Sequence, residues 1–163
     1  LHTAYRRQRQ MCIRDRPLVT ALSTSSSAAT LPVSMDAAQN RFRVSSEVSS
    51  VVLPLGATVN MDGTALFEGV AAVFLAQMFG IALDPITITT IFLVAMMASI
   101  GAPGIPSGSM AGMQLVLLAV GIPLEAIALL LMIERPLDTF RTAVNVQGDL
   151  VGSLVVNKRV TFK

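Results

Sequence analysis

The sequence predicts an all-α membrane protein built from broken transmembrane helices and re-entrant helical hairpins. Hydrophobic residues make up 53% of the 163 residues and charged residues only 13%, which is about half the charged share of an ordinary soluble domain. One apolar stretch is long enough to cross a bilayer, yet it carries Asp62 near its centre. Two further apolar arms are each too short to cross, and a Gly/Pro segment joins them. These three observations favour helices that enter or cross a membrane.

Residues 1–16 look foreign to the rest of the chain. They hold five of the twelve basic residues together with the only cysteine, histidine and tyrosine, Cys12, His2 and Tyr5. They contain no apolar core of the signal-peptide kind. We interpret them as a basic arm that is an artefact, with a genuine cytoplasmic arm as the alternative. Without this arm acidic residues outnumber basic ones, so the positive net charge gives no support for nucleic-acid binding.

Removing the arm also removes the residues that most enzyme interpretations need. Residues 17–163 contain neither Cys nor His, which excludes zinc ligation by these residues and a Ser-His-Asp arrangement. An enzyme that uses Ser27 or Asp62 as nucleophile is the alternative, but neither has a base nearby in the sequence. We therefore expect a protein that is not an enzyme.

Residues 17–44 begin with a short apolar remnant and continue into a Ser-rich run, Ser23–Pro32. We expect this run to be too small and polar for a helix core, with exposed backbone amides that can cradle a carboxylate. A flexible linker is the alternative. The segment that follows carries Asp36, Arg41 and Arg43 and is predicted to be a helix end at the water interface.

The first full span is predicted over residues 48–80, after a helix start with N-cap chemistry at Ser45. Asp62 is costly at mid-membrane unless something pairs with it. The flanking Asn60, Gly63 and Thr64 predict a helix break that turns carbonyl and side-chain oxygens inward. Such oxygens suit a hard cation such as sodium. A buried helix of a soluble protein is the alternative.

Residues 87–120 form a predicted re-entrant hairpin. Its arms, Thr87–Ile100 and Ser109–Val120, are shorter than the roughly twenty residues that a crossing helix needs. The Gly/Pro segment between them is one that no helix continues through. Two spans joined by a loop are the alternative.

The last span, residues 123–156, carries polar residues three or four positions apart, which places them on one helix face. Pro136 is expected to kink or interrupt this helix. Arg141 offers a planar fork for a carboxylate, and Asp138 one turn away attracts a cation, which together describe a zwitterion with an extra acid. A solvated amphipathic face is the alternative. The polar residues are Glu134, Asp138, Arg141, Thr142, Asn145 and Asp149.

Four motifs in order resemble the glutamate transporter family of dicarboxylate and amino acid:cation symporters. The resemblance covers nearly all of residues 17–163, but only the C-terminal part of such a transporter. It implies an inverted-repeat transport-domain core in which residues 17–44 are the remnant of a first hairpin, and it implies that the early spans are missing. The motifs are Ser25-Ser26-Ser27 with Thr30-Leu31-Pro32, Asn60-Met61-Asp62-Gly63-Thr64, Ser99-Ile100-Gly101 with Gly104-Ile105-Pro106, and Asp138-x-x-Arg141-Thr142-x-x-Asn145-Val146-x-Gly148-Asp149.

The resemblance also implies a substrate site between the two hairpin tips. The Ser-rich tip would meet the substrate's α-carboxylate, Asp138 its ammonium group and Arg141 its distal carboxylate. The second tip, residues 101–109, would be the extracellular gate. The implied substrate-binding residues are Ser25, Ser26, Ser27, Thr64, Ile105, Asp138, Arg141, Thr142 and Asn145.

Three sodium sites follow from the same resemblance, with sodium as the coupling ion and no other cofactor. The first consists of Gly56, Asn60, Asn145 and Asp149. The second consists of Thr58 with the backbone of Ser99, Ile100 and Ala102. The third uses Asn60 and Asp62 with further ligands in the missing spans.

The implied function is sodium-coupled symport of glutamate or aspartate across the plasma or inner membrane, by a multi-pass protein that is a homotrimer when full length. A proton- or sodium-coupled C4-dicarboxylate symporter is the alternative, and Asp138 argues against it because a dicarboxylate has no ammonium group. Family members often carry an arginine at one of two positions that here are Ser25 and Thr139. Potassium or proton counter-transport therefore stays open.

Outside the polar face of the last span, basic residues lie near both ends of residues 17–163. Residues 80–87 and 121–125 contain no Lys or Arg, so the positive-inside rule places both ends in the cytoplasm and these two loops outside. The basic residues at these two ends are Arg41, Arg43, Lys158, Arg159 and Lys163.

We therefore predict that a cysteine at Asp84, in the full-length transporter, reacts with a membrane-impermeant thiol reagent added to intact cells. Labelling followed by mass spectrometry measures this directly. Reaction only after permeabilisation would contradict the predicted orientation.

Overall fold

The computed structural model describes residues 15–161, and every regular element in that range is helical. The predicted arm, residues 1–16, lies outside the described residues except for its last two positions. A π-helical turn at Ala37–Arg41 follows α2, and a 3-10 turn at Leu124–Ala126 precedes α7. The predicted all-helical class is confirmed for this range. The helices are α1 (residues 15–24), α2 (Ser27–Asp36), α3 (Ser46–Val59), α4 (Asp62–Met78), α5 (Pro85–Ile100), α6 (Ser109–Val120) and α7 (Ile127–Thr161).

The Ser-rich run is more helical than its composition predicts. Only Ser25 and Ser26 interrupt the helix, and Ser25 has a left-handed backbone with φ 49°. Ser26 caps α2 by accepting a hydrogen bond from the amide of Ala29. The expectation that this run is too polar for a helix is wrong, because its hydroxyls bond within the helix. Thr30, for example, donates to the carbonyl of Ser26 at 2.8 Å.

The first long apolar stretch breaks where the sequence predicts. Asn60 (ψ 76°) and Met61 (ψ 51°) leave the helical region, and α4 begins at Asp62. Gly63 lies inside α4, where an added Cβ would come within 2.7 Å of the Arg141 carbonyl oxygen. Its role is thus the close approach of α4 to α7. The predicted cap of α3 is also confirmed, since Ser45 accepts from the amide of Val48.

The last helix runs without interruption through Pro136. The predicted interruption before Asp138 is therefore wrong, whereas a kink at Pro136 stays a prediction. Proline removes one backbone hydrogen bond, but α7 packs against both α3 and α4. These contacts on two helices hold the chain helical across the missing bond. The polar residues from Glu134 to Asp149 consequently share one rigid element.

Two apolar clusters flank this polar stretch of α7. One joins α4, α6 and the start of α7 through Leu75, Met113 and Leu130. The other joins α3 to the second half of α7 through Leu53 and Leu150. Buried alanines in both clusters let the helices approach closely. The polar side chains are thereby held between two packed regions.

Within the described residues, Ser46–Met78 is the one helical stretch long and apolar enough to cross a membrane. It covers 33 residues with the break inside it. The helices α5 and α6 are apolar but shorter. Large apolar side chains are exposed on α4 and α5, among them Leu66, Val70, Phe92 and Met97.

The close approach of α4 to α7 gives a stability prediction. Gly63→Ala is expected to lower the free energy of unfolding by about 1–3 kcal/mol, because the added methyl group would overpack against the α7 backbone. Gly152→Ala is the matched control, since no heavy atom lies within 4 Å of an added Cβ there. Thermal unfolding of the full-length transporter in detergent measures both. Equal melting temperatures for the two variants would contradict the proposed role of Gly63.

Candidate functional site

The site begins where two interhelical turns meet. The α1–α2 turn (residues 25–26) and the α5–α6 turn (residues 101–108) are joined at Gly104. The carbonyl of Gly104 accepts from the Ser26 hydroxyl at 2.7 Å and from the Ala28 amide at 3.1 Å. An added Cβ at Gly104 would lie 2.7 Å from the carbonyl oxygen of Ala57 in α3. Only glycine therefore allows the two turns and α3 to meet so closely.

A buried ion cluster on α7 lies beside these turns. Arg141 Nη2 donates to Glu134 Oε1 at 3.0 Å and to Asp138 Oδ1 at 2.8 Å. The exposed fractions of the three residues are 5%, 2% and 6%. The spacings of three and seven residues bring all three side chains to one helix face. Two carboxylates thus share one guanidinium group away from water.

Arg141 still has unused hydrogen-bonding capacity. Its Nε and Nη1 are buried and have no hydrogen-bond partner. The guanidinium lies over the ring of Phe67 in α4, 4.0 Å from the ring centroid, an arrangement that stabilises a cation. Buried donors without a partner cost free energy. A carboxylate brought to them would remove that cost.

Ser107 in the α5–α6 turn binds the other oxygens of the same two carboxylates. Its amide donates to Asp138 Oδ2 at 3.0 Å, and its hydroxyl lies 3.1 Å from Glu134 Oε2 as donor. Its backbone is left-handed, with φ 60°, a conformation that costs a non-glycine residue about 1–2 kcal/mol. The sequence predicted the turn as a whole but not this contact.

A narrow cavity lies between the two turns and the helices α4 and α7. Its volume is about 10 Å³, roughly enough for one water molecule. Seven of the predicted substrate-binding residues line it, and of the remaining two, Ser26 bonds to Gly104 next to it and Arg141 pairs with Asp138. The seven are Ser25, Ser27, Thr64, Ile105, Asp138, Thr142 and Asn145.

The residues of the first predicted sodium site also lie together. Asn60 Nδ2 donates to Asp149 Oδ1 at 2.9 Å. The carboxylate of Asp149 packs directly on Gly56, where there is no room for a Cβ. Asn145 Oδ1 accepts from the amide of Gly63 at 2.8 Å. Both of these oxygens, Asp149 Oδ1 and Asn145 Oδ1, belong to α7, and the groups that they contact come from both sides of the α3–α4 break.

The second and third predicted sodium sets each contain an exposed side chain. Thr58 is exposed, and its hydroxyl donates to Leu55 in its own helix. The carbonyl of Ser99 accepts from the amide of Ala102 at 3.2 Å. Asp62 is exposed at the start of α4, so it is not the buried paired carboxylate that its place in the apolar run suggested. Both sets stay predictions.

Two acidic residues were not predicted as site residues. Glu134 was placed on the polar face of α7 but given no role, although its spacing from Asp138 is one helical turn. Glu68 is fully buried in α4, and neither carboxylate oxygen has a hydrogen-bond partner. It packs on Gly112 of α6, where a Cβ would clash with it. Glu68 carries the same sequence signal as Asp62, a carboxylate in an apolar run.

Residues 15–161 thus form an all-helical fold with a charged site enclosed between helices and turns. Residues 10–159 match the family described as "Sodium:dicarboxylate symporter family". The chain belongs to this family, and the predicted family resemblance is confirmed.

Three relatives illustrate the match. The chain is 51% identical over 138 residues to "Excitatory amino acid transporter 2" of Mus musculus, which is 85% of this chain and 24% of that protein. It is 50% identical over 141 residues to "Excitatory amino acid transporter 3" of Mus musculus, 86% of this chain and 27% of that protein. "Excitatory amino acid transporter" of Caenorhabditis elegans is 46% identical over 138 residues, 85% of this chain and 27% of that protein. The chain thus spans about a quarter of the length of these relatives.

Proposed function

We propose that this segment forms the substrate- and ion-binding part of a transporter that carries acidic amino acids with sodium across the plasma or inner membrane. The observation that supports this most strongly is Arg141, buried with two unpartnered nitrogens beside Asp138. A guanidinium and a carboxylate side by side suit a ligand that carries both signs of charge.

The proposed ligand binds charged groups of the ion cluster that Arg141 forms with Glu134 and Asp138. Its ammonium group binds Asp138, and its distal carboxylate binds the free donors of Arg141. Its α-carboxylate meets the backbone amides of the α1–α2 turn. Thr142 and Asn145 bind the main-chain end of the ligand, and Thr64 assists at its side-chain end. Each buried charge then keeps an opposite charge or a donor, which burial requires.

An amino acid fits this site better than a dicarboxylate. The dicarboxylate reading has the family's description in its favour, but a dicarboxylate has nothing to offer Asp138. The similar proteins are named excitatory amino acid transporters, which favours an amino acid. Discrimination of this kind is strong where a buried polar group would otherwise lose its partner.

Sodium is the proposed coupling ion. The proposed ligands are the side-chain oxygens of Asn60, Asn145 and Asp149 and the carbonyl of Gly56, because such a cation prefers hard oxygen ligands. Asn145 Oδ1 and Asp149 Oδ1 lie against residues around the α3–α4 break, which supports this. The sets around Thr58 and Asp62 are proposed as further sodium sites, the last completed by spans outside this segment. No other cofactor is proposed.

The surrounding architecture is proposed from the same family. Residues 17–44, with α1 and α2, would be the remnant of a first re-entrant hairpin, and residues 87–120, with α5 and α6, a second. The break at residues 60–61 and the last span, residues 123–156, would complete an inverted repeat. The two short apolar helices α5 and α6, and the two turns that meet at Gly104, support this. The full-length protein is proposed to be a multi-pass homotrimer in the lipid bilayer, with no nucleic-acid partner.

Substrate choice is testable through Arg141. In the full-length transporter, Arg141→Thr is expected to lower uptake of aspartate and glutamate about a hundredfold or more, because the donors for the distal carboxylate are gone. Small neutral amino acids such as serine are expected to gain entry, since Asp138 remains. Radiolabelled uptake in proteoliposomes measures both.

The matched control is Arg135→Thr, which removes an exposed arginine from the same helix. This variant should transport aspartate like the parent protein. Unchanged aspartate affinity in Arg141→Thr would reject the role proposed for Arg141.

Ion coupling is testable through Asp149. A sodium gradient at equal pH is expected to drive aspartate uptake, and Asp149→Asn is expected to raise the sodium concentration needed for half-maximal uptake at least several-fold. By thermodynamic reciprocity, aspartate should in turn tighten sodium binding. Asp36→Asn, at an exposed carboxylate of α2, is the control and should leave sodium dependence unchanged. Uptake that needs only a pH gradient and ignores Asp149→Asn would point to proton coupling instead.

A further inference from the structure

Arg141 and Ser107 bind the same two carboxylates from opposite sides. Arg141 takes Glu134 Oε1 and Asp138 Oδ1, and Ser107 takes Glu134 Oε2 and Asp138 Oδ2. The four groups form a closed ring. Every carboxylate oxygen in the ring has one donor, so the two acids are satisfied without any ligand.

The shape of the α5–α6 turn directs Ser107 toward the carboxylates of α7. The amide of Gly108 bonds back to Ile105 at 3.1 Å, and an added Cβ at Gly108 would collide with the carbonyl of Pro103. This tight turn and the left-handed backbone of Ser107 leave both donors of Ser107 facing α7. Glu134 and Asp138 therefore hold the α5–α6 turn closed.

We infer that Ser107 is an internal competitor for the ligand's ammonium group, and that Glu134 is a second acceptor for that group. The inference rests on the proposed function, because it assumes that an ammonium group binds Asp138. An ammonium group has three N–H donors, as a lysine head group does. It can therefore replace the Ser107 amide at Asp138 and the Ser107 hydroxyl at Glu134 together.

This competition makes Ser107 a specificity-determining residue. A ligand that displaces Ser107 without bringing N–H donors leaves two buried carboxylate oxygens unpaired, which is costly. Such a ligand is rejected even when its own carboxylates fit. An amino acid that displaces Ser107 restores both partners.

Hydrogen exchange of the peptide that covers residues 101–109, in the reconstituted full-length transporter without ligand, tests the contact directly. Ser107→Ala removes the hydroxyl donor, so the turn should open more often and exchange about tenfold faster, the effect of losing one hydrogen bond to a charged acceptor. Glu134→Gln should also speed exchange. Because both variants weaken the same bond, the double variant should exchange no faster than Glu134→Gln alone.

Thr139→Ala is the matched control. It removes a hydroxyl next to Asp138 that bonds only to the carbonyl of Pro136 in its own helix, and exchange of residues 101–109 should not change. Melting temperatures of all variants are compared first, and exchange is read only in this peptide relative to peptides from α5. Parent-like exchange in Ser107→Ala would overturn the inference.

Ligand binding is the second measurement. Aspartate should bind Ser107→Ala about tenfold more tightly than the parent at saturating sodium, because its competitor is weakened. Weaker binding would mean that Ser107 assists the ligand, which also overturns the inference. If aspartate binds neither protein, the proposed function fails, whereas the ligand-free exchange result still decides whether Ser107 holds the turn closed.

Discussion

The pairing of Arg141 with Glu134 and Asp138 is the interaction on which the rest of the structure depends. Three charges lie buried on one helix face, and removing one partner of such a group costs about 3–5 kcal/mol. Phe67 from α4 and Ser107 from the α5–α6 turn each stabilise the cluster from outside α7. The cluster therefore links α4, α7 and the turn into one unit. It also leaves two arginine nitrogens free, which keeps the unit able to accept an anion.

Glycine residues let the helices around this cluster approach one another closely. Gly63 lets α4 touch the backbone of α7, Gly104 lets the two turns meet on α3, and Gly112 makes room for Glu68. The broken helix contributes in the same way, because residues 60–61 leave the helical path and Asn60 reaches Asp149. Glycine and the break thus let helices and turns approach closely enough for their polar groups to meet.

Much of the fold could be predicted from local sequence signals. The break at Asn60, the Ser45 cap and the non-helical segment around Pro103 and Pro106 each follow from residues that act on their own backbone. The non-helical course predicted for the Ser-rich run and the interruption predicted at Pro136 are both wrong. Both depend on hydrogen bonds or packing partners that a local pattern does not display.

The part of the site on α7 could be predicted, because the spacing of its polar residues places them on one helix face. Asp138, Arg141, Thr142 and Asn145 share one face of α7 because of their period, and the cavity lies on that face. Ser107 could not be predicted, since its contact with α7 joins elements far apart in sequence. Its residue type is ordinary for a turn, and only the left-handed backbone and the facing carboxylates give it a role.

We propose that the site recognises a zwitterion with an extra acid. Aspartate and succinate differ only by the ammonium group, so their equilibrium binding to the full-length transporter, compared by calorimetry with and without sodium, tests the claim most directly. If the site recognises the ammonium group, aspartate should bind in a sodium-dependent manner and succinate should bind more weakly by about a hundredfold or more. Equal affinity for the two ligands would contradict it.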